Sequence, residues 1–409
     1  MSSWRTLRRR CTALLAGLLL PVGLALVECG RNKPAPVQAA EPLPAAPSPA
    51  ADDSKKPRFP RPPNAENVKV VPEAWKTAPR TPLASGEIDR LLEAARKADA
   101  QSAKQPLAPL TTDEQFIRRV SLDVAGKLPT ADEVKAFIES AHPNKRGKLT
   151  DRLLASDEFA RHWGRYLRDV LLWRATDMRI VVRLPRTVAL ELWLTEQLKA
   201  NRSWAAITRD LLTANGGVKQ RNHEGGENAF LLAHTGEDAA VERASDTARV
   251  FLGIRIQCAQ CHDHPDDIWQ RQQFHELAAF FGRVSDESIR PERKELGGGG
   301  LIKLVSLGEG EYQMPGQYDP KQMTTTHPRF LTGETVARGL SDLDRRKTLA
   351  DLITSKDNYW FAAAFANRVW GVLMGQAFYE PVDNMGPYLE KEATYPQVLL
   401  RLADSFRAS

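Results

Sequence analysis

Residues 157–174 read D-E-F-A-R-H-W-G-R-Y-L-R-D-V-L-L-W-R. Phe159, Trp163, Tyr166, Leu167, Val170 and Leu171 recur at the three- and four-residue spacing that gathers one apolar stripe on a helix, with charged residues between them. Residues 185–199 repeat the pattern with Val188, Leu192, Trp193 and Leu198, and Ser203 caps a further helix carrying Trp204, Ile207, Leu211 and Leu212, which Gly216 and Gly217 stop. Working upstream, Ser85 is placed to cap a helix carrying Ile88, Leu91, Leu92 and Ala95. Thr112 with Gln115 and Thr130 with Glu133 have the spacing of reciprocal capping boxes. Gly126 is expected to end the first of these two helices, and Pro129 keeps it from resuming. Downstream, residues 223–228 read as loop, while residues 238–253 and 267–281 are helical in pattern, the latter through Ile268, Phe274, Leu277, Ala278 and Phe281. Composition then shifts. Residues 297–300 are four glycines, 301–307 alternate as a strand, 315–328 look irregular, and helices return over 341–355, 360–375 and from 395 onward. The predicted fold class is therefore mainly α: a multi-helix domain over 85–285, a glycine-rich connector with short strands over 286–335, and a partial helical domain over 336–409.

The chain has 409 residues, of which 42% are hydrophobic and 26% charged, a balance that excludes collagen, coiled-coil, multi-span membrane and wholly disordered classes and suggests two or three folded units. Nine Trp supply large core anchors. Arg5, Arg8, Arg9 and Arg10 against Glu28 carry +3 of the formal net charge of +6. What is left is too small and too mixed for a nucleic-acid footprint, so no nucleic-acid partner is expected. The same arginines precede an apolar run over residues 11–27, the pattern of an export signal over residues 1–29. Leu26-Val27-Glu28-Cys29 resembles a lipobox, except that Glu28 stands where a small residue is usual. Cys29 is thus either a lipid attachment point or the last thiol of a discarded leader. Residues 30–84 read as a linker, and ten prolines between Pro34 and Pro63 make much of it an extended tether. The expected location is outside the cytoplasm, in the periplasm or cell envelope, with membrane contact only through the leader or a lipid on Cys29.

One segment carries chemistry. Cys258-Ala259-Gln260-Cys261-His262 is C-x-x-C-H, the spacing at which two thiols add to porphyrin vinyl groups and the next imidazole reaches the iron. The other two cysteines, Cys11 and Cys29, belong to the leader region. Haem c is the expected cofactor, with Cys258 and Cys261 as attachment thiols and His262 as proximal ligand. Two alternatives stay open: a Cys258–Cys261 disulfide, which an oxidising compartment permits, and a zinc site recruiting His264. For the second axial position Met314 is the first candidate. Met323, His327 and His275 are others, and His234 is a possible loop donor. Asp263, Asp266 and Asp267 are placed to orient imidazole N–H groups or to be solvated loop acids. No G-x-S-x-G, H-E-x-x-H, Walker or dinucleotide glycine pattern occurs. Three functions compete: a single-electron relay with an unknown envelope redox partner, an envelope enzyme with an open haem or zinc site, and a non-catalytic envelope scaffold.

With these residues in place, the chain resembles the bacterial planctomycete cytochrome-like family of unknown function, followed by the start of its usual companion domain. Three stretches carry the resemblance: I-R-R-V-S-L-D-V-A-G-K-L over 117–128 with D-R-L-L-A-S from Asp151; R-V-F-L-G-I-R-I-Q-C-A-Q-C-H-D-H-P over 249–265, continuing through Trp269 to L-A-A-F-F at 277–281; and F-A-N-R-V-W over 365–370 with E-P-V-D-N over 380–384. The resemblance implies an extracytoplasmic, largely helical protein with a c-type haem motif on Cys258, Cys261 and His262 and no assigned reaction. It also implies a site role for His264, which matches the pattern together with Pro265 and Trp269. Two departures are Asp266, where an aromatic often follows His-Pro, and the end of the sequence early in the companion domain, from which a truncated protein is expected.

Overall fold

The computed structural model describes residues 72–175, 184–218, 224–265, 267–289, 301–386 and 393–408, which belong to one compact unit. The expected leader, Cys29, the proline-rich tether before residue 72, Asp266 and the glycine run at 297–300 lie outside the described residues. The architecture is mainly α, as predicted, with 7% strand. No helix among the described residues is long and apolar enough to cross a membrane.

Helices α1 (Glu73–Thr77) and α2 (Glu87–Ala98) open the described chain. Helix α2 is the one expected from its apolar spacing, but its N-cap is Gly86 in the left-handed region, with no side-chain cap bond, and not Ser85. Helix α1 lies inside the stretch read as linker, and its Trp75 is 1% exposed, its ring covered by the Arg407 guanidinium at 3.5 Å. A single Trp in a proline-rich context gives no periodicity, so sequence pattern alone misses this anchor. Helix α3 (Asp113–Ala125) and helix α4 (Ala131–Glu139) start with the two expected capping boxes, each cap side chain accepting an N–H while the Gln115 or Glu133 side chain reaches back. Gly126 ends α3 in the left-handed region at φ 67°. Together with α5 (Lys145–Leu154), these helices close a small separate core of Ile117, Val124, Phe137, Leu149 and Leu153.

Helix α6 (Asp157–Leu172) lies against α7 (Leu184–Lys199). Their approach is set by Gly164, where a Cβ would stand 2.7 Å from Thr195 Oγ1 and 3.2 Å from its backbone nitrogen. On the open side Arg168 and Arg165 both pair with Glu191. Helix α8 (Trp204–Thr213) begins at Ser203, whose hydroxyl accepts the Ala206 N–H, and it leads into the short strand β1 (Gly216–Gly217). Helices α9 (Asn228–Leu232) and α10 (Ala239–Thr247) are followed by a π turn over Ala248–Leu252 that ends at Gly253, φ 66°. A 3₁₀ turn, Gln257–Gln260, precedes helix α11 (Arg271–Ala278).

Beyond α11 the chain builds its strands. β2 (Val284–Ile289) and β3 (Leu301–Ser306) pair antiparallel in register from Val284 opposite Ser306, and β1 joins the free side of β3. The expected strand at 301–307 is present. The expected irregular region is not wholly irregular: β4 (Tyr312–Pro315) and β5 (Met323–Thr326) form an antiparallel hairpin, with Met314 opposite Thr324. Short strands of mixed polarity give no clean alternation, which is why composition alone conceals them. Helices α12 (Asp342–Thr354), α13 (Tyr359–Met374) and α14 (Pro396–Ala408) complete the chain. One apolar core runs from Trp75 through Phe251 and Trp269 to Leu349, Phe361 and Val398, so the stretches before and after the strands share a single buried interior.

Candidate functional site

The motif is delivered by a heavily anchored run. Arg243 of α10 is 1% exposed and donates to the carbonyls of Leu231 (2.9 Å), His234 (2.9 Å) and Val284 (2.7 Å), which satisfies the guanidinium although burial lowers its pKa to about 10. One turn on, Asp246 is fully buried between His234 Nε2 at 2.7 Å and Arg249 Nε at 2.9 Å. Burial by itself pushes the Asp246 carboxyl up, yet the His234 bond and the Arg249 charge outweigh it and hold it below the ordinary range. Arg249 also faces Asp383 at 3.4 Å, and Asp383 binds Arg368 at 2.6 Å. Arg368 in turn donates to the carbonyls of Val250 and Arg249. The stretches around Arg249 and Phe365 therefore meet in one buried charge network. Sequence reasoning found both stretches and missed that they touch; the arginines inside otherwise apolar segments are the signal that exposes it. His234, a possible loop donor in the sequence, is a member of this network.

Gly253 then turns the chain. Main-chain Met385 N donates to Gly253 O at 2.7 Å, and Ile254 and Ile256 bury their side chains and pin the start of the 3₁₀ turn. Cys258 and Cys261 are free thiols, and both are exposed. Cys258 lies inside the 3₁₀ turn and Cys261 is its C-cap, three positions on. Between them Ala259 is fully buried. His262 is half-buried, and its Nδ1 lies 2.7 Å from the Asp263 carbonyl oxygen. A carbonyl only accepts, so the proton is on Nδ1 and the ring lone pair on Nε2. The orienting acceptor is thus the Asp263 main chain, not an Asp side chain. The Asp263 carboxylate takes the Arg271 N–H at 2.9 Å, and buried Asp267 takes the Ile268 N–H at 2.7 Å. Gly386 packs on Asp267 so tightly that a Cβ there would lie 1.8 Å from Oδ2.

His264 closes the loop through its backbone, donating to Trp269 O at 2.8 Å, and its ring is half-buried. Trp269 is 1% exposed, and its indole nitrogen is buried without a hydrogen-bond partner among the described residues. Among these residues no three His, Cys, Asp or Glu side chains gather as a metal site, so Cys258, Cys261, His262 and His264 do not form a preassembled tetrahedral set.

The axial candidates separate clearly. His275 is not the half-exposed helix residue its position suggests: it is 1% exposed, and both ring nitrogens are bonded, Nε2 to Gln260 O at 2.9 Å and Nδ1 to the Tyr312 hydroxyl at 2.8 Å. Burial lowers its pKa to about 4. His327 is 43% exposed beside Glu311, and Met323 is 58% exposed. Met314 is half-buried on β4, on the same face of the strand as Tyr312. It is flanked by two ties to the motif segment, Tyr312 to His275 and Arg271 Nη2 to Pro315 O. Arg271 has its Nε buried without an acceptor among the described residues, and its charge lies close to Cys261 and Asp263.

Residues 87–286 match the family model PSCyt2, described as a protein of unknown function (DUF1549), and residues 345–409 match PSD1, described as a protein of unknown function (DUF1553). The pairing with a companion domain that the sequence led us to expect is therefore present. No curated protein and no solved structure matches the chain.

Proposed function

We propose that this is an exported protein that carries a covalently attached haem on Cys258 and Cys261, with His262 Nε2 as the proximal ligand, and that it relays single electrons in the cell envelope. The observation that carries the reading is the donor set: two exposed, free thiols three positions apart at a short turn, followed by an imidazole whose Nδ1–H is held by a carbonyl. Cys258 and Cys261 would hold the group covalently, each S–H adding across one vinyl double bond with no leaving group and no oxidant. The Asp263 carbonyl fixes the His262 ring and keeps its lone pair on Nε2, the nitrogen that would face the iron. When bound, the group supplies one-electron redox chemistry that no side chain here offers.

Met314 would offer the iron a second ligand, because its strand is tied to the motif segment on both sides of it and because thioether sulfur suits iron in an electron-transfer site. Arg271, with its unsatisfied Nε, supplies a donor for a porphyrin carboxylate. The leader pattern of residues 1–29 supports placement outside the cytoplasm, where thiols are matured in this way. The test is the pyridine haemochrome spectrum of the full chain produced with a haem c maturation system. A c-type absorbance that is lost in Cys258→Ala/Cys261→Ala supports the reading, and a colourless wild-type protein overturns it. Carbon monoxide binding by the reduced protein separates an open-sited enzyme, which binds it, from the six-coordinate relay proposed here, which resists it.

A further inference from the structure

We propose that His275 and Tyr312 are positioning residues for the Cys258–Cys261 turn: together they hold the carbonyl that lies between the two thiols and tie it to the β4–β5 hairpin. The inference rests on the reading of this turn as an attachment site, and it concerns the chain's own residues, which can be tested without any cofactor.

The last carbonyls of a short helix have no donor inside the helix and need an outside one when they face the protein. Gln260 ends the 3₁₀ turn, and its carbonyl receives the His275 Nε2–H at 2.9 Å. Because that oxygen only accepts, Nε2 carries the proton, Nδ1 carries the lone pair, and the Tyr312 O–H donates to it at 2.8 Å. The two histidines at the site therefore hold opposite tautomers, His262 protonated on Nδ1 and His275 on Nε2. His275 cannot rotate away: its ring stacks on Tyr312 with centroids 5.8 Å apart and meets Phe274 edge-on at 5.3 Å. The chain of bonds therefore runs in one direction, from the Tyr312 O–H through the His275 ring to the Gln260 carbonyl.

The consequence for the thiols is geometric. The Gln260 carbonyl lies in the peptide plane that also holds the N and Cα of Cys261, so fixing its direction fixes where that Cα stands and leaves φ as the backbone rotation that aims its Cβ. Cys258, on the first side of the turn, is held by the buried Ile256 and Ala259 instead. A 3₁₀ turn of four residues has poor internal hydrogen-bond geometry and few bonds of its own. Losing the brace should therefore change Cys261 more than Cys258, which a merely stabilising contact would not do.

The experiment uses the full chain produced without haem maturation. The rates of iodoacetamide alkylation of Cys258 and Cys261 are read separately by peptide mass spectrometry, and folding is checked by circular dichroism. In His275→Leu the Cys261 to Cys258 rate ratio should change by about fivefold, the scale of one net hydrogen bond. His275→Gln, which can both donate to Gln260 O and accept from Tyr312, should restore the ratio. Tyr312→Phe, which keeps the ring and frees the His275 tautomer, should shift it in the same direction as His275→Leu, and it decides the matter if the leucine variant does not fold. An unchanged ratio in a folded variant overturns the proposal, even if the matured wild type carries haem. A shifted ratio with rescue supports it, even if the matured wild type is colourless and the attachment reading fails.

Discussion

Replacing Arg368 by Met keeps most of the side chain's volume and apolar stem but removes its charge and donors, which isolates what the guanidinium does in the joint between the two matched stretches. Arg368 is 4% exposed and donates to Val250 O at 2.9 Å, to Arg249 O at 3.3 Å and to Asp383 Oδ1 at 2.6 Å. Two carbonyls lose a donor, at about 1 kcal/mol or more each. Asp383 loses its nearer cation and, among the described residues, keeps Arg249, 3.4 Å away, and breaking one side of a buried pair costs about 3–5 kcal/mol when nothing compensates. Because Arg249 compensates in part, we expect a total loss of about 3–5 kcal/mol, not the sum of these contributions. The assay is urea unfolding followed by tryptophan fluorescence. At a slope of about 3 kcal/mol per molar, the midpoint should fall by about 1 M or more. Asp383→Asn alone and the double variant complete a cycle whose coupling should be about 1–3 kcal/mol. A loss under about 1 kcal/mol with an unchanged slope would refute the claim that this network joins the two stretches.

Further predictions follow from other buried contacts. Gly253→Ala forces a side chain into the left-handed region at φ 66° and onto Met385 Sδ at 3.0 Å, so a loss of about 2–4 kcal/mol is expected in the same unfolding assay, whereas Ala at the open Gly339 should lose only the conformational part. Trp75→Ala removes a ring that is 1% exposed and stacked under Arg407, and it should lower stability by about 3–5 kcal/mol, with wild-type behaviour refuting a packed role for residues 72–84. His275 is lowered by burial from 6.5 to about 4, with Arg271 and Tyr312 facing it. The unfolded chain therefore takes up a proton that the folded one refuses, and this group's contribution is intact above pH 6.5 and falls toward pH 4 by up to about 3 kcal/mol. His275→Gln should flatten the stability profile across that window, and an identical profile would count against the burial argument.

Much of the helical frame is legible in the sequence because its signals are local. Both capping boxes, the Gly126 stop and the Ser203 cap occur where their side chains predict. The motif is equally local, since five consecutive residues define it. What escapes is whatever depends on distant partners. His275 reads as one more helix residue until Tyr312, 37 positions later, is seen to close on it. Arg249 and Arg368 look like surface charges until Asp383 brings them together. The β4–β5 hairpin is hidden because its strands are four residues each and mostly polar, so only their pairing reveals them. The acceptor for His262 is a main-chain carbonyl, which no residue pattern can announce.

The most direct test of the central claim is the intact mass of the matured chain under fully denaturing conditions, read together with its count of free thiols. The account predicts a single species heavier by one haem, with no alkylatable thiol at Cys258 or Cys261. A species without added mass, two hydrogens lighter than the dithiol chain, would contradict it and make the pair a disulfide.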